Sequence, residues 1–214
     1  MDKNRFVSIN PNDPDESALE MAVGLLRNGK IVVYPTDTTY ALGANALDIT
    51  AIKRIFDLKK RAEEKPIHVV VSDLKMAERF VIISEVAERL AKIFLPGPLT
   101  LILPRKENVP DILVGGRKTL GIRIPDNKIC LMLAQKANIP FTATSANISG
   151  AENLYSTSEL HMQFSSNLHQ IDLVIDQGPL LHKPPSTLVD LTTSPPQILR
   201  EGPISGKLIF EAIR

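Results

Sequence analysis

The chain has no tryptophan and a single cysteine, Cys130, so an internal disulfide is excluded and no site can be built mainly from thiolates. Charge of one sign is missing too. The 25 basic residues face 24 acidic ones, a formal net charge of +1, which supplies no global field toward nucleic acid or an anionic membrane. Any polyanion must be met locally. No run of about 18 apolar residues occurs, and the N-terminal MDKNRFVSINPNDPDES lacks an apolar segment of signal-peptide length. The expectation is a soluble, cytoplasmic protein in a reducing compartment, without membrane association. The Asn147-Ile148-Ser149 triplet matches a glycosylation acceptor, which outside a secretory route would never meet its enzyme.

Familiar catalytic engines are absent as well. The four histidines, His68, His161, His169 and His182, show no HExxH or similar spacing, so no zinc site is expected. A phosphate-binding loop needs GxxxxGK followed by Ser or Thr. GPISGKL has one residue too few between its glycines and places Leu208 where a hydroxyl belongs. No GxGxxG occurs. Cys130, inside KICLMLA, reads as an inert apolar position.

What is present is enough chain, 214 residues and 23.6 kDa, for one core burying roughly 70% of the extended surface. A single domain over residues 1–214 is expected. Apolar spacing predicts helices over 14–28, 49–59, 73–78, 84–94, 127–137, 157–164 and 205–213. Asn28-Gly29 would end the first and Asp48 would cap the second. Branched apolar runs predict strands at 31–34, 67–71, 100–103, 120–124, 141–144, 173–175, 187–191 and 197–199. Such alternation indicates an α/β or α+β domain with a twisted mixed sheet, flanking helices and a concave binding face. The polar stretch 152–170 carries no linker composition.

Four polar clusters flank the short apolar runs, as expected where loops at strand ends gather ligands. YPTDTTYALG (34–43) crowds five hydroxyls and a carboxylate into ten residues. LKKRAEEKPIH (58–68) places Lys59 and Arg61 where a helical pattern gives way to loop, with Lys65 beyond. In an unwinding turn these two cations can converge on one anion, and a point charge with a planar fork suits a polyphosphate. The same positions also suit the last turn of any helix, with Glu63 and Glu64 as counter-charges. His68 fits either a functional or a satisfied interior histidine. TATSANISG (142–150) lets backbone approach a ligand, with Gly150 free to take positive φ, although Asn147 equally suits a local side-chain bond. In STLVD and ILREG, Arg200 stands ready for a nucleotide or for Asp190. Arg123, alone in an apolar run, needs a carboxylate, either Asp37 or a substrate's.

In order, YPTDTTYALG, LKKRAEEKP, PGPLTLIL, GIRIPD, TSANISG, STLVD and ILREG resemble the YrdC-like threonylcarbamoyl-adenylate synthases, stand-alone type, over residues 15–205. The resemblance implies an ATP-dependent nucleotidyltransferase that uses L-threonine and bicarbonate or carbon dioxide, with Mg²⁺. It also implies a downstream transferase complex that modifies adenosine 37 of tRNA. Carried over residue by residue, it puts Thr36, Tyr40, His68 and Arg123 at threonine, with Thr142, Thr144 and Ser186 nearby. Lys59 and Arg61 would hold the ATP phosphates and carry catalysis, while Thr119, Ser145, Asn147 and Arg200 bind nucleotide. No protein residue is assigned to a metal.

Two positions depart from the family pattern. Thr39 and Ala41 replace a valine and a glycine, and Asn127 stands where relatives often have histidine, so that position cannot titrate. Two rival readings are a non-catalytic double-stranded RNA-binding or regulatory module and another ATP-dependent carbamoyl or acyl transfer enzyme. The first draws on residues 53–65, whose six basic and three acidic side chains could bind RNA weakly through phosphate.

Overall fold

The computed structural model describes residues 5–214. Eleven strands form among them: β1 Phe6–Ser8, β2 Val32–Pro35, β3 Tyr40–Gly43, β4 Val69–Val70, β5 Leu99–Pro104, β6 Thr119–Arg123, β7 Phe141–Thr142, β8 Thr144–Ser145, β9 Leu173–Asp176, β10 Thr187–Asp190 and β11 Gln197–Arg200. Seven α-helices accompany them: α1 Glu16–Arg27, α2 Ile49–Lys59, α3 Leu74–Ala77, α4 Glu85–Phe94, α5 Lys128–Ala137, α6 Leu160–Phe164 and α7 Gly206–Ala212. Caps explain the helix starts. Asp15 accepts from Ala18 N at 2.9 Å, Asp48 from Thr50 N and Ala51 N at 2.8 and 3.1 Å, and Asn127 from Cys130 N at 3.0 Å.

The architecture is mixed α/β, as read from the sequence, but the strands divide into two hydrogen-bonded sheets. One runs β1-β9-β2-β3-β8 and the other β11-β10-β5-β6-β4-β7, each with parallel and antiparallel neighbours. The chain passes from the second sheet to the first at Ala143, between β7 and β8. The expected strand 141–144 is therefore two short ones, each serving a different sheet. Backbone bonds stitch the seam, Thr142 N to Ala44 O at 2.9 Å and Ala146 N to Tyr40 O at 2.9 Å.

Strand β2 is buried on both faces. Ile31 and Val33 turn toward the core shared with α2 and the second sheet, while Val32 and Tyr34 turn toward α1 and α5. This two-sided burial is why its sequence reads as an unbroken apolar run. YPTDTTYALG is no simple loop. It is a hairpin in which Tyr34 pairs with Ala41 and Pro35 with Tyr40, so only the residues between Pro35 and Tyr40 are free to carry chemistry. Strand β3 escapes sequence reading because Thr38 and Thr39 mask its start, although Tyr40, Ala41 and Leu42 are all buried. The methyl of Ala41 lies in the core beside α1 and α5. Strand β1 is likewise unpredicted, as an edge strand of three residues.

Candidate active site

A cavity of about 390 Å³ opens where the β2–β3 hairpin meets the ends of β5, β6 and β10. Its walls include Thr38, Thr39, Arg61, Lys65, His68, Thr100, Arg123, Thr144, Ser145, Ser186 and Arg200. All four sequence clusters therefore reach one concavity. Register explains part of it: Thr100 pairs with Arg123 across β5 and β6, and β10 lies beside β5.

The hairpin turn is internally fixed. Thr36 Oγ1 donates to Thr39 O at 2.7 Å and accepts from Thr38 N and Thr39 N, both at 3.1 Å. Asp37 is thereby presented to Arg123, whose Nη2 donates to Asp37 Oδ1 at 2.5 Å and to Thr38 Oγ1 at 2.9 Å. The arginine's partner is thus Asp37. Yet Arg123 Nε and Asp37 Oδ2 are both buried with no hydrogen-bond partner among the described residues, so each member keeps unused hydrogen-bonding capacity beside the cavity.

Lys59 lies deeper than expected for a helix end. It is 1% exposed, and its Nζ donates to Ser145 O, to Asn147 O at 2.7 Å and to Asn147 Oδ1 at 3.2 Å. Burial, and then the charge of Arg61, pull its pKa down to about 7, while three oxygen acceptors favour the charged form. Lys60 follows in a left-handed conformation, φ 49°. It turns the chain so that Arg61 reaches the cavity while Lys59 stays behind its wall. Arg61 donates to Lys65 O at 3.3 Å and to Pro66 O at 2.9 Å.

The Ser145–Asn147 loop is fixed from both sides. Ser145 Oγ bonds Asn147 Oδ1, and Asn147 Nδ2 donates to Ala151 O at 2.6 Å. Gly150 has φ +89°, as its position in the loop suggests. Across the cavity, Ser186 and Thr100 hydroxyls lie 2.7 Å apart, and Arg200 donates through Nε and Nη2 to Ser186 O at 3.0 and 2.9 Å. Arg200 is therefore committed to Ser186 and not to Asp190. His68 rests on β6, where a Cβ on Gly121 would come within 2.6 Å of its ring. Burial first, then Arg200, Arg61, Arg123 and Arg117, push its pKa down to about 4, so it is a neutral imidazole at physiological pH.

Several expected site residues stand back from the cavity. Tyr40 OH donates to Gly178 O at 2.7 Å and to Asp176 Oδ1 at 3.2 Å. Thr142 Oγ1 donates to Leu42 O and accepts from Ala44 N. Thr36, Lys59 and Asn147 shape the walls from behind. Thr119 begins β6 opposite Pro104, about 13 Å along the strand from Arg123. Asn127 caps α5 and donates to Gln177 Oε1 at 3.0 Å, which gives the residue in the histidine place a structural task. The residues missed by sequence reading are Thr38, Thr100, Asn153 and Lys183. Thr38 lies inside the hydroxyl-rich stretch YPTDTTYALG and Thr100 inside the apolar run PLTLIL, whereas Asn153 and Lys183 left no signal.

No carboxylate is among the lining residues, and among the described residues no group of three or more His, Cys, Asp or Glu could hold a metal. The residues present do not form a protein-borne magnesium site. Nor, among them, is any helix long and apolar enough to cross a membrane. The basic stretch 53–65 is not a continuous face: Arg54 pairs with Asp172, Lys59 is buried, and Arg61 and Lys65 turn to the cavity.

A threonylcarbamoyl-AMP synthase of Pyrococcus abyssi is 41% identical over 189 residues, covering 88% of this chain but 55% of that protein. The chain thus spans about half of that relative's length. A putative threonylcarbamoyl-AMP synthase of Methanocaldococcus jannaschii is 35% identical over 204 residues, 94% of this chain and 95% of its own. The solved structure of P. abyssi Sua5 complexed with L-threonine superposes with a TM-score of 0.91 at 38% identity, over 97% of this chain and 60% of that one. The Sua5/YciO/YrdC family model, described as telomere recombination, matches residues 24–202, and the chain belongs to that family.

Proposed function

We propose that this chain makes threonylcarbamoyl-adenylate and pyrophosphate from L-threonine, bicarbonate or carbon dioxide, and ATP. The observation that carries the reading is the single cavity in which Arg123, hydroxyls of Thr38, Thr100 and Ser186, and the cations Arg61 and Arg200 share walls. An arginine beside small hydroxyls fits an amino acid's carboxylate and hydroxyl. Cations without a lining carboxylate fit a polyphosphate. The relative of similar fold that holds L-threonine supports the same assignment.

The chemistry needs no enzyme nucleophile. The threonine amine attacks carbon dioxide and loses a proton, giving a carbamate. A carbamate oxygen then forms a bond to the α-phosphorus of ATP as the bond from that phosphorus to the bridging oxygen breaks, and pyrophosphate leaves. The protein's task is to hold both reactants and to stabilise charge on the phosphoryl oxygens, with Arg61 as the cation that the LKKRAEEKPIH motif brings to the cavity wall. Magnesium would arrive bound by the nucleotide's own phosphates. Lys59 contributes by holding Ser145 and Asn147 in place. Thr119 has no cavity contact to support a nucleotide role.

Incubation with ATP, Mg²⁺, bicarbonate and L-threonine should yield the adenylate by mass and threonine-dependent pyrophosphate. Serine should be excluded only weakly, by about 10- to 200-fold, since it lacks only one methyl. Absence of threonine-dependent release would refute the reading. In cells the labile product would pass to a separate transferase acting on adenosine 37 of tRNA.

A further inference from the structure

Five cationic side chains line the cavity: Arg61, Lys65, Arg123, Lys183 and Arg200. The three arginines are all partly committed to the protein, Arg61 to two carbonyls, Arg123 to Asp37 and Thr38, and Arg200 to Ser186. Among the described residues, the two lysine ammonium groups have neither a hydrogen bond nor an ion pair. Lys65 belongs to the basic motif that follows α2. Lys183 belongs to no motif. It stands on the strap of residues 177–186 that joins β9 to β10 without regular structure.

This strap is not loosely draped. Leu180 N donates to Tyr155 O at 2.7 Å, Tyr155 OH donates to Lys183 O at 3.1 Å, and the Tyr155 and His182 rings stack at 3.8 Å. Gly178 O accepts from Tyr40 OH at the strap's start, and Pro184 and Pro185 stiffen its end. Backbone is thus fixed on both sides of Lys183, while the exposed four-carbon stem is left to swing. A fixed root with an unpaired ammonium at a cavity rim is the arrangement expected of a residue that closes on an anion when it arrives.

We propose that Lys183 is a further substrate-binding residue, contacting the β- and γ-phosphates of ATP, the portion that departs as pyrophosphate. The proposal rests on the functional reading above. Because the lysine is exposed, its replacement should leave folding intact.

Titration calorimetry with MgATP, AMP, pyrophosphate and L-threonine tests it on wild type, Lys183→Ala, Lys183→Arg and Arg61→Ala. Losing one charge-assisted contact should weaken ATP and pyrophosphate about tenfold in Lys183→Ala. AMP and L-threonine should change less than about twofold, and Lys183→Arg should recover most of the loss, since the phosphate needs the charge. The salt dependence of ATP binding should also become shallower in Lys183→Ala. ATP affinity within about twofold of wild type in Lys183→Ala, or an equal weakening of L-threonine, overturns the proposal. If only Arg61→Ala loses ATP, the Lys183 assignment falls and the functional reading stands. If wild type binds neither ATP nor L-threonine, both fall.

Discussion

Asp37→Ala should destabilise the fold by about 3–5 kcal/mol, the usual cost of stranding one member of a buried ion pair. The side chains of Arg123 and Asp37 are 10% and 6% exposed. Without the carboxylate, the guanidinium keeps only the Thr38 hydroxyl as a side-chain acceptor, and its Nε already has none. At roughly 2–4 °C per kcal/mol for a chain of this size, the melting temperature should fall by about 6–20 °C. The lower end is favoured because the cavity admits water. Asp37→Ala combined with Arg123→Met should recover most of the loss, since no charge is then left stranded. L-threonine supplies the same arms with a functional readout. If its carboxylate meets Arg123, saturating L-threonine should raise the melting temperature of Asp37→Ala by more than that of wild type. Urea and thermal unfolding measure all of these. A single variant within about 1 kcal/mol of wild type, or a double variant no better than the single, would refute the reasoning.

Other expectations follow from the same geometry. Arg123→Ala should raise the KM for L-threonine more than that for ATP in steady-state assays, and equal effects would count against a carboxylate role. Lys59→Ala should lower both turnover and stability, the latter by roughly 2–5 kcal/mol, because it strands buried carbonyls of Ser145 and Asn147; pyrophosphate release with urea unfolding checks both. With its folded pKa pushed down to about 4, His68 refuses a proton that the unfolded chain accepts below about pH 6.5. That costs stability as pH falls from 6.5 toward 4, so His68→Gln should reduce the loss by up to about 2 kcal/mol at pH 5, read by urea unfolding at pH 5 and 7.5. Gly121→Ala should lift the His68 ring off β6, lowering activity several-fold with a small change in melting temperature.

Helices were legible where caps and spacing agreed. Asp48 and Asn28 mark their ends because a local side chain or turn sets them, and local chemistry is what a sequence displays. Strand β3 was hidden because Thr38 and Thr39 mask its start, and because its pairing between β2 and β8 is a long-range arrangement that local sequence does not display. The convergence of the clusters could be read from their order, but their depth could not. Lys59 and Arg61 look alike as two cations at a helix end, and only the left-handed Lys60 separates the wall from the interior. Asn127 shows the reverse case, where a departure from the family pattern has a local explanation as a helix cap. Lys183 left no trace, since its place depends on Tyr155, 28 residues earlier.

The crossing at Ala143 joins two sheets that share their interiors: Val33 and Leu42 pack with Val69 and Ile122, and Val32 and Ala41 with Val70 and Phe141. Warming should therefore loosen both sheets together, since neither keeps an apolar layer of its own once the other is lost. Loss of ligand binding on heating should then coincide with the collapse of its circular dichroism.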